Sequence, residues 1–260
     1  MGSKPVYKTW IRKHKLITFL VISVCLIAAA FSPINMYIRI LSGLLALPFC
    51  YISFIVSYTY YQFAPFGNNF QSIIHDLILQ KLKWDGEGKL LDIGTGSGSL
   101  TIKGAKVFPK GQFVGIDYWG NNWEYSQKLC ERNAEIEGIS DRVAFIKASA
   151  SKLPFLDNAF QSVISCLTFH EVKDEKNKIL LLKEAVRVLD SEGVFVFMDL
   201  FTDNKTYGNY SDFLTEVKKL GVSEFKAVKL SALIKLPRVL QSKKALGNAV
   251  LLIGRKGSSI

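Results

Sequence analysis

The sequence predicts an α/β fold with a mostly parallel sheet, preceded by a hairpin of two apolar helices. Residues 89–100, KLLDIGTGSGSL, read as a short buried strand, a glycine-rich turn and the opening of a helix. A second strand over 112–116 delivers Asp117 about 20 residues beyond that turn, which completes a βαβ unit with an acidic residue at the second strand end. Upstream, the only charged residue between Lys15 and Asp76 is Arg39. A stretch of that length has room for two spans of about 20 residues each.

Composition agrees with both parts. The 260 residues suffice for one α/β domain and an appendage, and the positive mean hydropathy of +0.19 is concentrated near the N-terminus. Four cysteines form no disulfide or metal pattern: Cys25 and Cys50 lie in apolar stretches, while Cys130 and Cys166 are isolated. No metal site is predicted, and a reducing compartment is expected. The net charge of +11 suits a nucleic acid or an anionic membrane face. Placement favours the membrane, because Lys4, Lys8, Arg12, Lys13 and Lys15 cluster before the first apolar run and the other basic residues are scattered.

The first span is predicted over 16–31 and the second over 38–61, with Ser32, Pro33 and Asn35 as the turn. Ten Leu, Ile, Val or Phe residues in the first favour insertion, by roughly 3 to 6 kcal/mol. Arg39 can snorkel, Pro48 can kink the second helix, and Tyr58, Tyr60 and Tyr61 form an interfacial belt. Lys81, Lys83 and Lys89 follow the hairpin and the turn carries almost no positive charge, so both termini and the following domain are expected in the cytoplasm. A cleavable signal peptide and a buried soluble hairpin are the alternatives. The expected divisions are 1–63, a linker with an amphipathic helix over 64–88, and a cofactor domain over 89–260.

In the linker, apolar residues from Phe70 to Leu82 recur at helical spacing and turn His75 and Asp76 toward another face, which makes His75 a surface or interface residue. After the glycine turn, with Ser97 and Ser99 placed to satisfy amides, a helix runs to about 108. Further helices are expected over 121–137 and 211–220, and strands over 142–148, 160–166, 225–230 and 249–255. Trp119 has two readings, packing on a flat ligand face or in the core.

The third glycine falls one residue early for a dinucleotide fingerprint, with Ser99 where glycine is needed. Instead, a strand ending in an acidic residue and G-x-G-x-G resembles the first motif of class I S-adenosylmethionine (SAM) dependent methyltransferases of the type 11/25 kind. Residues 147–157, KASASKLPFLD, resemble that family's G-D-A-x-x-L-P-F-x-D stretch, with Ala148 for its glycine and Ser149 for its aspartate. Residues 181–201 resemble its R-V-L-K-P-G-G turn and fifth strand, with Asp190, Ser191 and Glu192 replacing lysine, proline and the first glycine.

The resemblance implies a Rossmann-like sheet of seven strands, SAM as cofactor and methyl transfer as the activity. It implies a cofactor site of Asp92, Gly94, Thr95, Gly96, Ser97, Gly98, Asp117, Tyr118, Ser149, Ala150 and Cys166. Within it Asp92 and the loop amides hold the methionine part, Asp117 the ribose, and Ser149 with Ala150 the adenine. The loop after the fourth strand would line the methyl-transfer face; His170 in that loop, with an ordinary pKa of about 6.5, has two readings, a base oriented by Glu171 or a structural residue capping the loop. The acceptor expected from two spans is a lipophilic small molecule met at the lipid bilayer, with no nucleic acid. The alternatives are a soluble acceptor and a SAM- or nucleotide-binding membrane protein without catalysis.

Overall fold

The computed structural model describes residues 4–120, 123–243 and 245–258. They divide into two compact units, one of residues 9–73 and one of the described residues of 1–8 and 74–260.

In the first unit, α1 (Lys13–Phe31) and α2 (Met36–Phe63) form a hairpin. Asn35 caps α2 by accepting from the Tyr37 amide. Small residues lie between the helices: Ser23, Ser42, Ala46 and Ser53 are buried, and the hydroxyls of Ser23 and Ser53 meet at 2.9 Å. Large side chains such as Phe31, Leu44, Leu47 and Phe54 point outward. This is the packing expected where lipid replaces water around the helices. Arg39 donates from Nε to the Ala30 carbonyl at 3.2 Å. Both helices are long and apolar enough to cross a membrane.

The chain passes to the second unit through α3 (Phe70–Lys81). His75 corrects the sequence reading: it is buried, and burial with Lys103 nearby holds its pKa down at about 3, so the ring is neutral. The apolar period found one buried face of α3, and the face bearing His75 is covered as well.

The sheet has seven strands: β1 (Lys89–Ile93), β2 (Gln112–Asp117), β3 (Val143–Lys147), β4 (Phe160–Cys166), β5 (Leu189–Asp199), β6 (Val222–Lys229) and β7 (Val250–Lys256). Their order is β3-β2-β1-β4-β5-β7-β6, and only β7 runs antiparallel to its neighbours. The order reverses between β1 and β4, the place where open α/β sheets leave a crevice at their carboxyl ends. Strands buried on both faces explain the continuous apolar runs: Leu90, Leu91, Ile93, Val163, Ile164 and Val196 have no or almost no exposed surface.

Helices α4 (Ser99–Val107), α5 (Gln127–Ile136), α6 (Lys178–Val188) and α8 (Tyr210–Lys218) agree with the predicted order, and two short turns, α7 (Asn204–Tyr207) and α9 (Leu230–Leu233), accompany them. Two local expectations change. The helix predicted from 121 begins at Gln127, capped by Ser126, whose hydroxyl accepts from the Leu129 amide. Residues 121–122 lie outside the described residues. Ser97 and Ser99 do not cap α4; its N-cap is Gly98, and the Ser97 hydroxyl accepts instead from the Lys8 amide at 3.3 Å.

The two downstream motifs meet through one side chain. Arg187 donates to the Leu153 and Phe155 carbonyls and to the carboxylates of Asp157 and Glu184, tying the L-P-F turn onto α6. Five donors in a rigid fork suit that task.

Candidate cofactor and transfer site

Beyond β1 the chain turns on Gly94 (φ +82°), Gly96 (φ +58°) and Gly98 (φ +78°). At Gly94 a Cβ would fall 1.9 Å from the Thr168 hydroxyl, so only glycine fits there. At Gly96 a Cβ would meet the Tyr125 ring at 3.4 Å, an ordinary contact, and the positive φ is the stronger constraint. The amides of Gly94 and Thr95 both donate to the Ile116 carbonyl, at 2.8 and 2.9 Å, which fixes the loop against the end of β2.

A cavity of about 450 Å³ lies at the carboxyl ends of β1–β4. Gly94, Gly96, Asp117, Tyr118, Ser149 and Ala150 line it, so the structure brings these sequence-predicted residues together. Asp92, Thr95, Ser97, Gly98 and Cys166 do not line it. Asp92 is buried beneath the loop and accepts from the Thr101 hydroxyl at 2.6 Å, and Thr101 in turn meets the Thr95 hydroxyl at 2.5 Å. Burial pushes the Asp92 carboxyl up to about 6, against the pull of those two hydroxyls. Cys166 is buried at the end of β4, where burial first and the nearby Asp92 and Asp199 next raise its thiol well above the ordinary range.

Asp117 faces the cavity already half engaged. Its two oxygens accept from the amides of Gly96 and Trp119, each at 2.9 Å, and the remaining lone pairs are available to a ligand. Burial raises its pKa, and those amides oppose the rise. The Trp119 indole donates to the Gly96 carbonyl at 2.8 Å and pins the second residue after β2 to the glycine loop. Trp123 and Tyr125, stacked at 5.4 Å, form a further wall of the cavity.

Phe169–Glu171 form a single 3₁₀ turn after β4. Thr168 and Glu171 line the cavity, whereas His170 is held from the side of β5. Its Nδ1 lies 2.5 Å from Asp199 Oδ1, while Glu171 is 3.8 Å from Nε2. Asp199, fully buried at the end of β5, therefore orients the ring, the role the sequence reading assigned to Glu171. Burial disfavours the imidazolium, but the Asp199 carboxylate outweighs it, and the His170 pKa lies above its ordinary value.

Sequence reasoning missed Asp199 and Asp174. The first had a signal, an acidic residue at the carboxyl end of a central strand. Asp174, in the charged run after the 3₁₀ turn, had none.

Residues 91–197 match the family model described as a methyltransferase domain. Over 116 residues, 44% of this chain, the sequence is 34% identical to a sterol 24-C-methyltransferase of Aspergillus fumigatus. Over 114 residues, 44% of this chain, it is 33% identical to a ubiquinone/menaquinone biosynthesis C-methyltransferase of Desulfotalea psychrophila. Those alignments take in 29% and 42% of the respective relatives, so the chain spans less than half the length of either. Among solved structures, a geranyl diphosphate methyltransferase resembles it with a TM-score of 0.53 at 14% identity, over 71% of this chain and 77% of that one. A [4+2]-cyclase resembles it with a TM-score of 0.56 at 19% identity, over 72% and 82%. These likenesses show the fold, and a cyclase among them shows that the fold hosts other chemistries.

Proposed function

We propose that the chain carries a methyltransferase domain of the class I, SAM-dependent kind and is a membrane-anchored enzyme that methylates a lipophilic acceptor. The observation that carries this reading is the cavity along the ends of adjacent strands. Strands lie about 4.8 Å apart, so β1, β2 and β3 present in turn a bare glycine backbone, the Asp117 carboxylate and the short polar turn at Ser149. A methionine group, a ribose diol and an adenine, joined in that order, match these surfaces.

Gly94 and Gly96 let the backbone approach the methionine part, and Asp92, through Thr101 and Thr95, holds the loop from beneath. Asp117 accepts from the ribose hydroxyls with the lone pairs left free by Gly96 and Trp119. Ser149 and Ala150 border the adenine. When bound, SAM supplies a methyl carbon made electrophilic by its sulfonium. The protein's task is to align the acceptor and move one proton. His170, with Nδ1 fixed by Asp199, would take the acceptor's proton at Nε2, while bound SAM would supply the methyl group as its carbon–sulfur bond breaks and S-adenosylhomocysteine leaves.

The lipophilic acceptor is supported by the hairpin, with its small residues inside and large apolar ones outside, and by relatives named for sterol and quinone methylation. Anchoring at the bilayer raises the local concentration of membrane-dissolved molecules. Basic residues before α1 and after α3 support an orientation with both termini and the domain in the cytoplasm. The test gives the full-length protein in vesicles labelled SAM with either a membrane lipid extract or a water-soluble metabolite extract. Label is expected in organic-soluble products; label only in water-soluble products contradicts the acceptor class, and SAM binding without any transfer contradicts catalysis.

A further inference from the structure

In the family that the sequence resembles, an aspartate follows the third strand and contacts the adenine; this chain has Ser149 there. A serine hydroxyl is both donor and acceptor, so alone it does not distinguish the exocyclic amine of adenine from the carbonyl that replaces it in hypoxanthine. The structure places a second group on it. Asp174, between the 3₁₀ turn and α6, lines the same cavity as Ser149. Its Oδ2 accepts from the Ser149 hydroxyl at 2.7 Å and from the Ser151 hydroxyl at 2.6 Å. The Ser149 oxygen also accepts from the Ser151 amide at 3.2 Å.

Counting protons gives the consequence. Each hydroxyl has one hydrogen, and Ser149 Oγ, Ser151 Oγ and Asp174 Oδ2 lie within 2.9 Å of one another, so each hydrogen has an acceptor inside the cluster, and the arrangement that directs both to the carboxylate leaves neither serine a proton to offer a ligand. Toward the cavity the cluster shows only acceptors: a lone pair on Ser149 and the second carboxylate oxygen of Asp174. We propose that Asp174 is the specificity-determining residue for the adenine of the cofactor, supplying from the loop before α6 the carboxylate that position 149 lacks and forcing Ser149 to act as an acceptor. The cluster accepts from an exocyclic amine and repels a carbonyl oxygen. The hydroxyls of Ser151 and Ser149 hold the Asp174 carboxyl below the usual carboxylate range, so the cluster stays negative at neutral pH.

This inference rests on the proposed SAM site, and its test separates the two. The full-length protein in detergent is titrated with S-adenosylhomocysteine and with S-inosylhomocysteine, which differ only in the purine edge. Wild type is expected to prefer the adenosyl compound on the order of 10- to 100-fold, the range for a hydrogen bond to a charged group. Asp174→Ala, which frees both hydroxyls to donate, should bring the two affinities within about threefold, and Ser149→Asp in that background should restore the preference. Equal binding of both compounds by wild type overturns the inference while leaving the site intact. So does an Asp174→Ala variant that weakens both ligands equally, since Asp174 would then only close the loop. Binding of neither compound by folded wild type overturns the site itself and the inference with it.

Discussion

Glu192 has φ +62°, in the left-handed region, at the position where the resembled family carries glycine. A side chain there costs about 1–2 kcal/mol, and glycine gives back about 0.4–1 kcal/mol through the unfolded chain. The carboxylate contacts with Ser258 and Arg255 are at the surface and add little. Glu192→Gly is therefore expected to stabilise the protein by about 0.5–1 kcal/mol net, read as a rise of roughly 2 °C in Tm. The Arg255 bond to the Glu192 carbonyl is retained, since it uses the backbone. A lower Tm would show that the side-chain contacts outweigh the strain. At this scale the sequence was informative wherever chemistry is local: glycines at a strand end, or an acidic residue closing β2. It was silent on Asp174 and on the staple from Trp119 to Gly96, because those partners are 25 and 23 residues away and only the folded sheet brings them together.

At the scale of elements, the ends of β4 and β5 form one device. His170 follows β4 and Asp199 closes β5, two strands paired in parallel register from Ser162 to Cys166. Around the imidazole lie Asp199 and Glu171, which raise its pKa, and Lys178 and burial, which lower it. Tyr207, in α7, has a hydroxyl beside Asp199 and is held neutral by burial and that carboxylate. A base must be unprotonated, so turnover is expected to rise with pH through a limb above 6.5 in the kcat/KM profile. Removing the carboxylate in Asp199→Asn leaves only Glu171 to oppose burial and Lys178, and the limb should move to lower pH with a lower plateau. An unshifted limb in that variant, or unchanged turnover in His170→Ala, would remove the pair from the mechanism. Most elements were legible because their runs were apolar and bounded by Gly or Pro. The start of α5 was misjudged because Trp123 and Tyr125 belong to the cavity wall, so tertiary contacts hold them outside the helix that propensity alone would extend.

For the whole molecule, the two apolar runs were readable from charge alone and the seven-stranded sheet from the family resemblance, whereas the insertion of β7 between β5 and β6, antiparallel to both, had no signal in the βαβ pattern. The attachment of the first residues was not readable either. Val6 exchanges two hydrogen bonds with the side chain of Asn133 in α5, at 2.8 and 3.0 Å, and Asn133 also donates to the Ser97 carbonyl of the glycine loop. No local pattern signals a partner 127 residues away. Val6 thus lies on the cofactor domain, ahead of the hairpin from which the chain returns through α3. The orientation proposed for that hairpin predicts that Ile34→Cys, in the turn between α1 and α2, reacts with a membrane-impermeant maleimide on intact cells. Leu156→Cys, exposed on the domain, should react only after lysis. The reverse pattern would invert the topology. The central claim is that the cavity at the ends of β1–β4 binds SAM, and calorimetric titration of the full-length protein in detergent tests it most directly. Wild type is expected to bind, and Asp117→Ala, losing charge-assisted hydrogen bonds worth about 1.5–3 kcal/mol, should bind on the order of 10- to 100-fold more weakly. No binding by folded wild type, or equal affinity in the variant, would contradict the account.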